Sequence, residues 1–100
     1  MAYERHVGLT VKDEAGYQSY REAMTPLLTA CGGKFRFDFL VSKTLKSEGA
    51  ADINRVFVLW FPDRATKERF FADPAYLAIR AKYYEPSVKA ATTIAEFETP

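Results

Sequence analysis

The chain has 100 residues, of which 48% are hydrophobic and 15% aromatic, and its formal net charge is +1. This length allows one ordinary domain, and the apolar content excludes a disordered chain. The small net charge gives no attraction to nucleic acid or to anionic membranes. Cys31 is the single cysteine, and no apolar run approaches the roughly 20 residues of a membrane span. We therefore expect a soluble cytoplasmic protein without an internal disulfide.

Residues 5–12 form the first predicted strand, because apolar and polar side chains alternate there. The apolar side chains share one face, and His6 and Gly8 lie on the other. Since glycine has no side chain, Gly8 leaves room for another group to approach the sheet. Histidine is the usual general base near neutral pH, so His6, the sole histidine, is a candidate catalytic residue. The alternative is a solvent-facing or dimer-interface histidine.

An amphipathic helix follows the first strand. Asp13 is its predicted N-cap, and apolar residues then recur at steps of three and four. Gly32-Gly33 ends it, since glycine readily adopts the left-handed conformation after a helix. Pro26 lies inside the pattern, and we expect it to kink or restart the helix, with Thr25 as a local cap.

Residues 34–42 return to a period of two and predict a second strand. One face is predicted to carry Phe35, Phe37 and Phe39, and the opposite face Arg36 and Asp38. Residues 44–53 hold turn-forming residues and predict a loop or a long hairpin connection.

The third predicted strand, residues 54–62, reads NRVFVLWFP and is apolar on both faces. Such a strand is central, with a cover on each side. We expect one cover to contact Val56, Val58 and Trp60. The other would contact the alternate set, Arg55, Phe57, Leu59 and Phe61.

Two aspartates open the second helical region. Asp63 is expected to cap a helix that extends to residue 71, and Asp73-Pro74 is expected to open another that Pro86 closes. Residues 92–98 predict a fourth strand at a sheet edge. This order predicts one domain over residues 1–100, an α+β, ferredoxin-like βαββαβ sandwich. Its four-stranded antiparallel sheet has two helical segments on one face. A homodimer would cover the other face of the sheet.

Several short motifs resemble the family catalogued as domain of unknown function 1330, in the dimeric α+β barrel superfamily. They are Asp13, Gly32-Gly33, Phe61-Pro62 and Asp73-Pro74-Ala75-Tyr76. The resemblance implies a ferredoxin-like protomer whose sheet packs on that of its twin. Relatives in the superfamily include cofactor-free monooxygenases, isomerases and haem enzymes, and also members with no demonstrated activity. The resemblance implies no catalytic residue.

Two groups of side chains form the expected site. Arg36, Asp38 and Arg55 are expected to cluster, either as a structural ion-pair network or as an anchor for a carboxylate or enolate, with His6 and Asp38 as catalytic candidates. Four aromatic residues are expected to line a space between sheet and helices, where they are either core or the walls of a pocket for a small cyclic or aromatic ligand: Trp60, Tyr17, Tyr20 and Tyr76.

Three functions remain open at this stage. The first is a protein that binds or converts a small apolar, aromatic or keto-acid-like metabolite without a cofactor, in the manner of cofactor-free monooxygenases or isomerases. The second is a non-catalytic structural or stress-associated dimer. A single-stranded nucleic-acid binder is the third, because RNA-recognition domains share the same order of elements. No motif for metal or phosphate binding is present.

Overall fold

A computed structural model describes residues 1–100. In chain order the elements are β1 (Ala2–Val11), α1 (Glu14–Ala30), β2 (Lys34–Leu40), β3 (Arg55–Phe61), α2 (Arg64–Ala72), α3 (Pro74–Ile79), a π-helical turn (Arg80–Tyr84), α4 (Glu85–Ser87) and β4 (Val88–Thr99). The strands form one antiparallel sheet in the order β2-β3-β1-β4. All helices pack on one face of it, which confirms the predicted ferredoxin-like α+β fold.

Both ends of α1 are formed by the residues that the sequence indicates. The Asp13 carboxylate accepts a hydrogen bond from the backbone N–H of Gly16 at 3.1 Å. At the other end Gly32 has a φ of 85°, and the Gly33 N–H donates to the carbonyl of Leu28 at 2.9 Å. This left-handed ending satisfies carbonyls that the last turn would otherwise leave unpaired.

The helix continues through Pro26, so the expected restart there is wrong. Thr25 is not a cap, because its hydroxyl donates back to the carbonyl of Arg21 at 2.5 Å. Pro26 removes only one helical hydrogen bond, and it lies on the exposed side of α1, where water can reach the freed carbonyl. Met24 and Leu28, both 1% exposed, hold the helix against the sheet on either side of the proline.

A β-bulge in β2 overturns the prediction of a single aromatic face. The pairing with β3 shifts between Phe35 and Phe37, so that Phe35 lies opposite Leu59 while Phe37 lies opposite Val58. An inserted residue reverses the faces of the side chains that follow it. Phe35 therefore packs under the helices, 5.4 Å from the ring of Phe57. The side chains of Phe37 and Phe39 lie on the other face.

In the second helical region, aspartates cap the helices as predicted. Asp63 accepts from the N–H of Thr66 at 2.7 Å, and Asp73 accepts from the N–H of Ala75 at 2.9 Å. The helical region ends at Ser87, one residue after Pro86, which was predicted to close it.

The helix face of the sheet carries the core. Leu9 and Phe61 are fully buried there, and burial of such side chains stabilises the fold by about 1.5–3 kcal/mol each. The alternation expected for β3 is present, with Phe57, Leu59 and Phe61 under the helices. Val56, Val58 and Trp60 lie on the opposite face, which we call the open face.

The β2–β3 connection, residues 41–54, covers one end of the open face. Its Ile53 side chain lies directly above Gly8, where an added Cβ would come within 2.9 Å of Ile53 Cδ1. This confirms that Gly8 leaves room for another group. Elsewhere the face is uncovered: Phe37, Phe39 and Phe97 are 51%, 52% and 40% exposed. No helix of the structure is long and apolar enough to cross a membrane.

Candidate functional site

A pocket of about 530 Å³ lies between the helix face of the sheet and the helices. Its floor comes from Val7, Phe57 and Leu59, and its walls come from α1, α2, α3 and the π-helical turn. Ligand pockets of about 300–1,000 Å³ with a mostly apolar lining are typical of small-molecule sites. Nine of the 14 lining residues are hydrophobic, so the polar groups among them decide what the pocket can bind.

Three tyrosines line the helical side of the pocket. The hydroxyls of Tyr20 and Tyr76 form a buried hydrogen bond of 2.9 Å, and the ring of Tyr84 lies 5.1 Å from that of Tyr20. Burial raises the pKa of each of these phenols, so all three stay protonated at neutral pH. Two hydroxyls that share one hydrogen bond retain a second O–H, which is a neutral donor for a ligand oxygen.

Three cationic side chains also line the pocket: Arg5, Lys67 and Arg80. The Arg5 guanidinium lies 4.9 Å from the centre of the Phe71 ring, and its Nε is buried without a hydrogen-bond partner. Lys67 makes a long contact of 3.9 Å to Glu96 and lies over the ring of Tyr3 at 4.6 Å. Arg80 forms no ion pair and lies over the Tyr84 ring at 5.4 Å.

One segment, α3 with the π-helical turn after it, brings Tyr76, Arg80 and Tyr84 to the pocket. A π-helical turn is wider than an α-helical one, and such turns are frequent at functional sites. The three side chains are spaced at intervals of four residues across α3 and this turn, and all line the pocket. This segment therefore presents a hydroxyl, a guanidinium and a second phenol to one space.

A separate ion-pair cluster joins α1 to β2 and β3 beside the pocket. The Asp38 carboxylate accepts two hydrogen bonds from Arg21, at 3.0 and 3.1 Å, and two from Arg55, both at 2.9 Å. Arg21 also donates to the Tyr17 hydroxyl at 2.7 Å. Burial raises the pKa of Asp38, but the hydrogen bonds from Arg55 and Arg21 outweigh it and lower the pKa below its ordinary value. Each carboxylate oxygen of Asp38 therefore accepts a hydrogen bond from both guanidinium groups.

The expected cluster of Arg36, Asp38 and Arg55 is only partly formed. Asp38 and Arg55 are in contact, but the bulge in β2 directs Arg36 to the open face, where it donates to Glu4 at 2.9 Å. Arg21 was missed, although it is the one arginine of α1 and lies at helical spacing between Tyr17 and Met24 on the buried face. Neither Asp38 nor Arg55 lines the pocket.

His6 lies on the open face, as expected. Its Nε2 is 3.2 Å from a carboxylate oxygen of Glu4, and its ring lies 5.3 Å from that of Phe97. Asp38 is on the helix face, so the two catalytic candidates do not meet within one protomer. Trp60 was expected between sheet and helices and is instead on the open face, with Lys34 over its ring at 4.9 Å. The strand alternation forces this placement, because Leu59 and Phe61 point to the helices.

Of the four aromatic residues expected to line a space, Tyr20 and Tyr76 line the pocket and Tyr17 lies beside it. The cations were missed. Arg5 carries a recognisable signal: it is the single charged residue on the face of β1 that otherwise bears Tyr3, Val7, Leu9 and Val11. No set of three or more His, Cys, Asp or Glu side chains is placed to hold a metal ion.

Comparison with protein families gives one match. The model of the family described as a domain of unknown function, DUF1330, matches residues 6–97, which confirms the resemblance found in the sequence. No curated protein matches the chain.

Solved structures share the fold at low identity. A protein of unknown function from Rhodopseudomonas palustris is 16% identical, with a TM-score of 0.82 over 99% of this chain and 84% of that one. A dimeric protein of unknown function with a ferredoxin-like fold from Bacteroides fragilis is 14% identical, with a TM-score of 0.63 over 98% and 96%. SnoaB, a cofactor-independent oxygenase from Streptomyces nogalater, is 15% identical, with a TM-score of 0.61 over 99% and 91%.

Proposed function

The chain belongs to the DUF1330 family of domains of unknown function, and we propose that it binds a small aromatic or keto-acid-like organic molecule in the pocket between sheet and helices. The observation that carries the proposal is the lining of that pocket, where an apolar floor meets the Tyr20–Tyr76 hydroxyl pair. A largely apolar cavity with a few convergent polar groups is the usual form of a small-molecule site.

The hydroxyl pair would orient the ligand. Tyr20 and Tyr76 both line the pocket, and their mutual hydrogen bond leaves one O–H free to donate to a ligand oxygen. The ring of a flat ligand would lie on Phe57 and Leu59, where burial of apolar surface favours binding by about 25 cal/mol per Å². This pairing of an apolar body with one acceptor oxygen suits a small aromatic or keto-acid-like molecule.

Thermal unfolding with a panel of aromatic acids and keto acids, phenylpyruvate among them, tests the proposal. A ligand at ten times its Kd stabilises the fold by about 1.4 kcal/mol, which raises Tm by about 6–11 °C for a domain of this size. Ala72→Trp fills the pocket from the end of α2, and Ala65→Trp places the same side chain at the start of that helix, outside the pocket. We expect stabilisation in the wild type and in Ala65→Trp only. Equal stabilisation of Ala72→Trp would place binding elsewhere.

Cofactor-independent oxidation is a second candidate, supported by the likeness in fold to SnoaB. In such a reaction the substrate itself supplies electrons to dioxygen, so the bound molecule would be an easily oxidised phenol or enol. The prediction is measured as dissolved oxygen consumed with each panel member that binds. Uptake that persists in Ala72→Trp would argue against this pocket as its location.

We also propose a homodimer formed through the open face. Phe37, Phe39 and Phe97 are each at least two-fifths exposed there, and a fold neighbour is described as dimeric. Light scattering of the wild type is expected to give twice the chain mass at micromolar concentration, and Phe37→Lys is expected to give the single chain. A wild-type protein that stays monomeric would contradict this assembly.

A further inference from the structure

We infer that the pocket selects an organic anion, and that Arg80 and Arg5 bind the carboxylate of that ligand. This rests on the proposed function and adds the charge of the molecule that is bound. The Arg55 anchor expected from the sequence does not supply this charge, because both of its contacts are to Asp38 and it lies outside the pocket.

The charges around the pocket do not balance. Arg5, Lys67 and Arg80 line it, and Glu68 is the one carboxylate among the lining residues. Glu96 lies outside the lining and contacts both Arg5, at 3.4 Å, and Lys67, at 3.9 Å. These two carboxylates leave one cation at the pocket without a carboxylate partner. An anionic ligand supplies the missing charge.

Arg5 and Arg80 have donors left over. The buried Arg5 Nε has no hydrogen-bond partner, and its other recorded polar contact is the long one to Glu96. Arg80 makes no ion pair, and its guanidinium lies 5.4 Å from the centre of the Tyr84 ring. A guanidinium presents paired N–H groups that match the two oxygens of a carboxylate, and both arginines lie at the same pocket as the Tyr20–Tyr76 pair.

Glu68 limits the charge of the ligand. Its carboxylate lines the same pocket, and a second negative charge on the ligand would meet it without a further free cation. Like charges brought close in a partly buried site repel each other. We therefore assign a monoanion, in which a single carboxylate is attached to an aromatic or other apolar body.

Benzoate and benzamide test the charge directly, because they share size and shape and differ in charge. Each is titrated into isotope-labelled protein, and the backbone amide shifts of Ala91 and Thr93 report occupancy of the pocket. We expect benzoate to bind at least about fivefold more tightly than benzamide. Arg80→Gln is expected to weaken benzoate about fivefold and to leave benzamide unchanged. Lys82→Gln, in the same turn but outside the pocket, is the matched control and is expected to change neither.

The outcomes separate this inference from the proposed function. Equal binding of benzoate and benzamide at these amides, or an equal loss in Arg80→Gln and Lys82→Gln, would overturn the choice of an anion while leaving a ligand pocket in place. If neither compound shifts Ala91 or Thr93, while the aromatic panel also fails to stabilise the protein, both the pocket and its charge selection are refuted. Spectra of Arg80→Gln without ligand check that the exposed substitution leaves the fold intact.

Discussion

Removal of the Asp38 charge is expected to destabilise the protein by about 2 kcal/mol. Asp38→Asn keeps the shape of the side chain but places a neutral amide between Arg21 and Arg55, whose side chains are 10% and 14% exposed. Breaking a fully buried pair costs about 3–5 kcal/mol, and breaking an exposed one about 0–1 kcal/mol. The Asp38 side chain is 32% exposed, so a value between these limits follows.

Urea or thermal unfolding of Asp38→Asn measures this loss. For a domain of this size, about 2 kcal/mol corresponds to a fall in Tm of about 8–16 °C. Asp52→Asn is the control, because Asp52 lies in the exposed β2–β3 connection and its recorded contact is through its backbone carbonyl, to Thr10. A loss in Asp38→Asn no larger than in Asp52→Asn would refute the view that this cluster stabilises the fold.

The same substitution predicts a pH dependence. The hydrogen bonds of Asp38 lower its pKa in the folded state below the ordinary value of 3.8. A carboxylate with a lowered pKa contributes stability above its unfolded pKa, and that stability is lost as pH falls through the folded pKa. The difference in unfolding free energy between wild type and Asp38→Asn should therefore be constant from pH 5 to pH 7, and should shrink below about pH 4. A difference that grows on acidification would have the wrong sign.

Three further substitutions test other parts of the account. Gly32→Ala places a side chain at a φ of 85° and should cost about 1–2 kcal/mol in urea unfolding; an unchanged midpoint would contradict the left-handed ending of α1. Tyr20→Phe leaves Tyr76 without its hydroxyl partner and should cost about 1 kcal/mol, with weaker binding of phenylpyruvate than in Tyr84→Phe; equal effects on binding would argue against the hydroxyl pair as the ligand contact. Asp63→Ala removes the side-chain cap of α2 and should lower Tm in thermal unfolding, whereas an unchanged Tm would show that the cap is dispensable.

Local signals in the sequence were sufficient for the order of elements. Asp13, Asp63 and Asp73 each cap a helix where the sequence predicts it, and Gly32 ends α1. These signals work because each depends on a hydrogen bond or a dihedral angle within a few residues of the chain. The apolar run of β3 likewise identified a central strand, which the structure places between β2 and β1.

Features that depend on contacts between distant residues could not be predicted from the sequence. An alternating sequence does not indicate the bulge between Phe35 and Phe37. The bulge nevertheless places Phe35 and the other two phenylalanines on opposite faces of the sheet, and it does the same for Arg36 and Asp38. Once the face of Leu59 was fixed by the helices, Trp60 had to lie outside the pocket. A period of two fixes which residues share a face, and only packing fixes which face that is.

The pocket was the least predictable feature. Tyr20 and Tyr76 lie on different helices and are 56 residues apart in the sequence, yet their hydroxyls form a hydrogen bond. Arg80 and Tyr84 line the same pocket from a π-helical turn, and no capping or helix-breaking residue in the sequence indicates that turn. Arg5 could have been found, because it interrupts an apolar face, but its neighbours across the sheet are set by strand order.

A crystal structure with phenylpyruvate tests the central claim most directly. The account predicts electron density for one molecule per protomer in the pocket, with the ring on Phe57, the carboxylate within hydrogen-bond distance of Arg80 and the keto oxygen at the Tyr20–Tyr76 pair. Density for the ligand on the open face beside His6, or a pocket that contains only water at saturating phenylpyruvate, would contradict it.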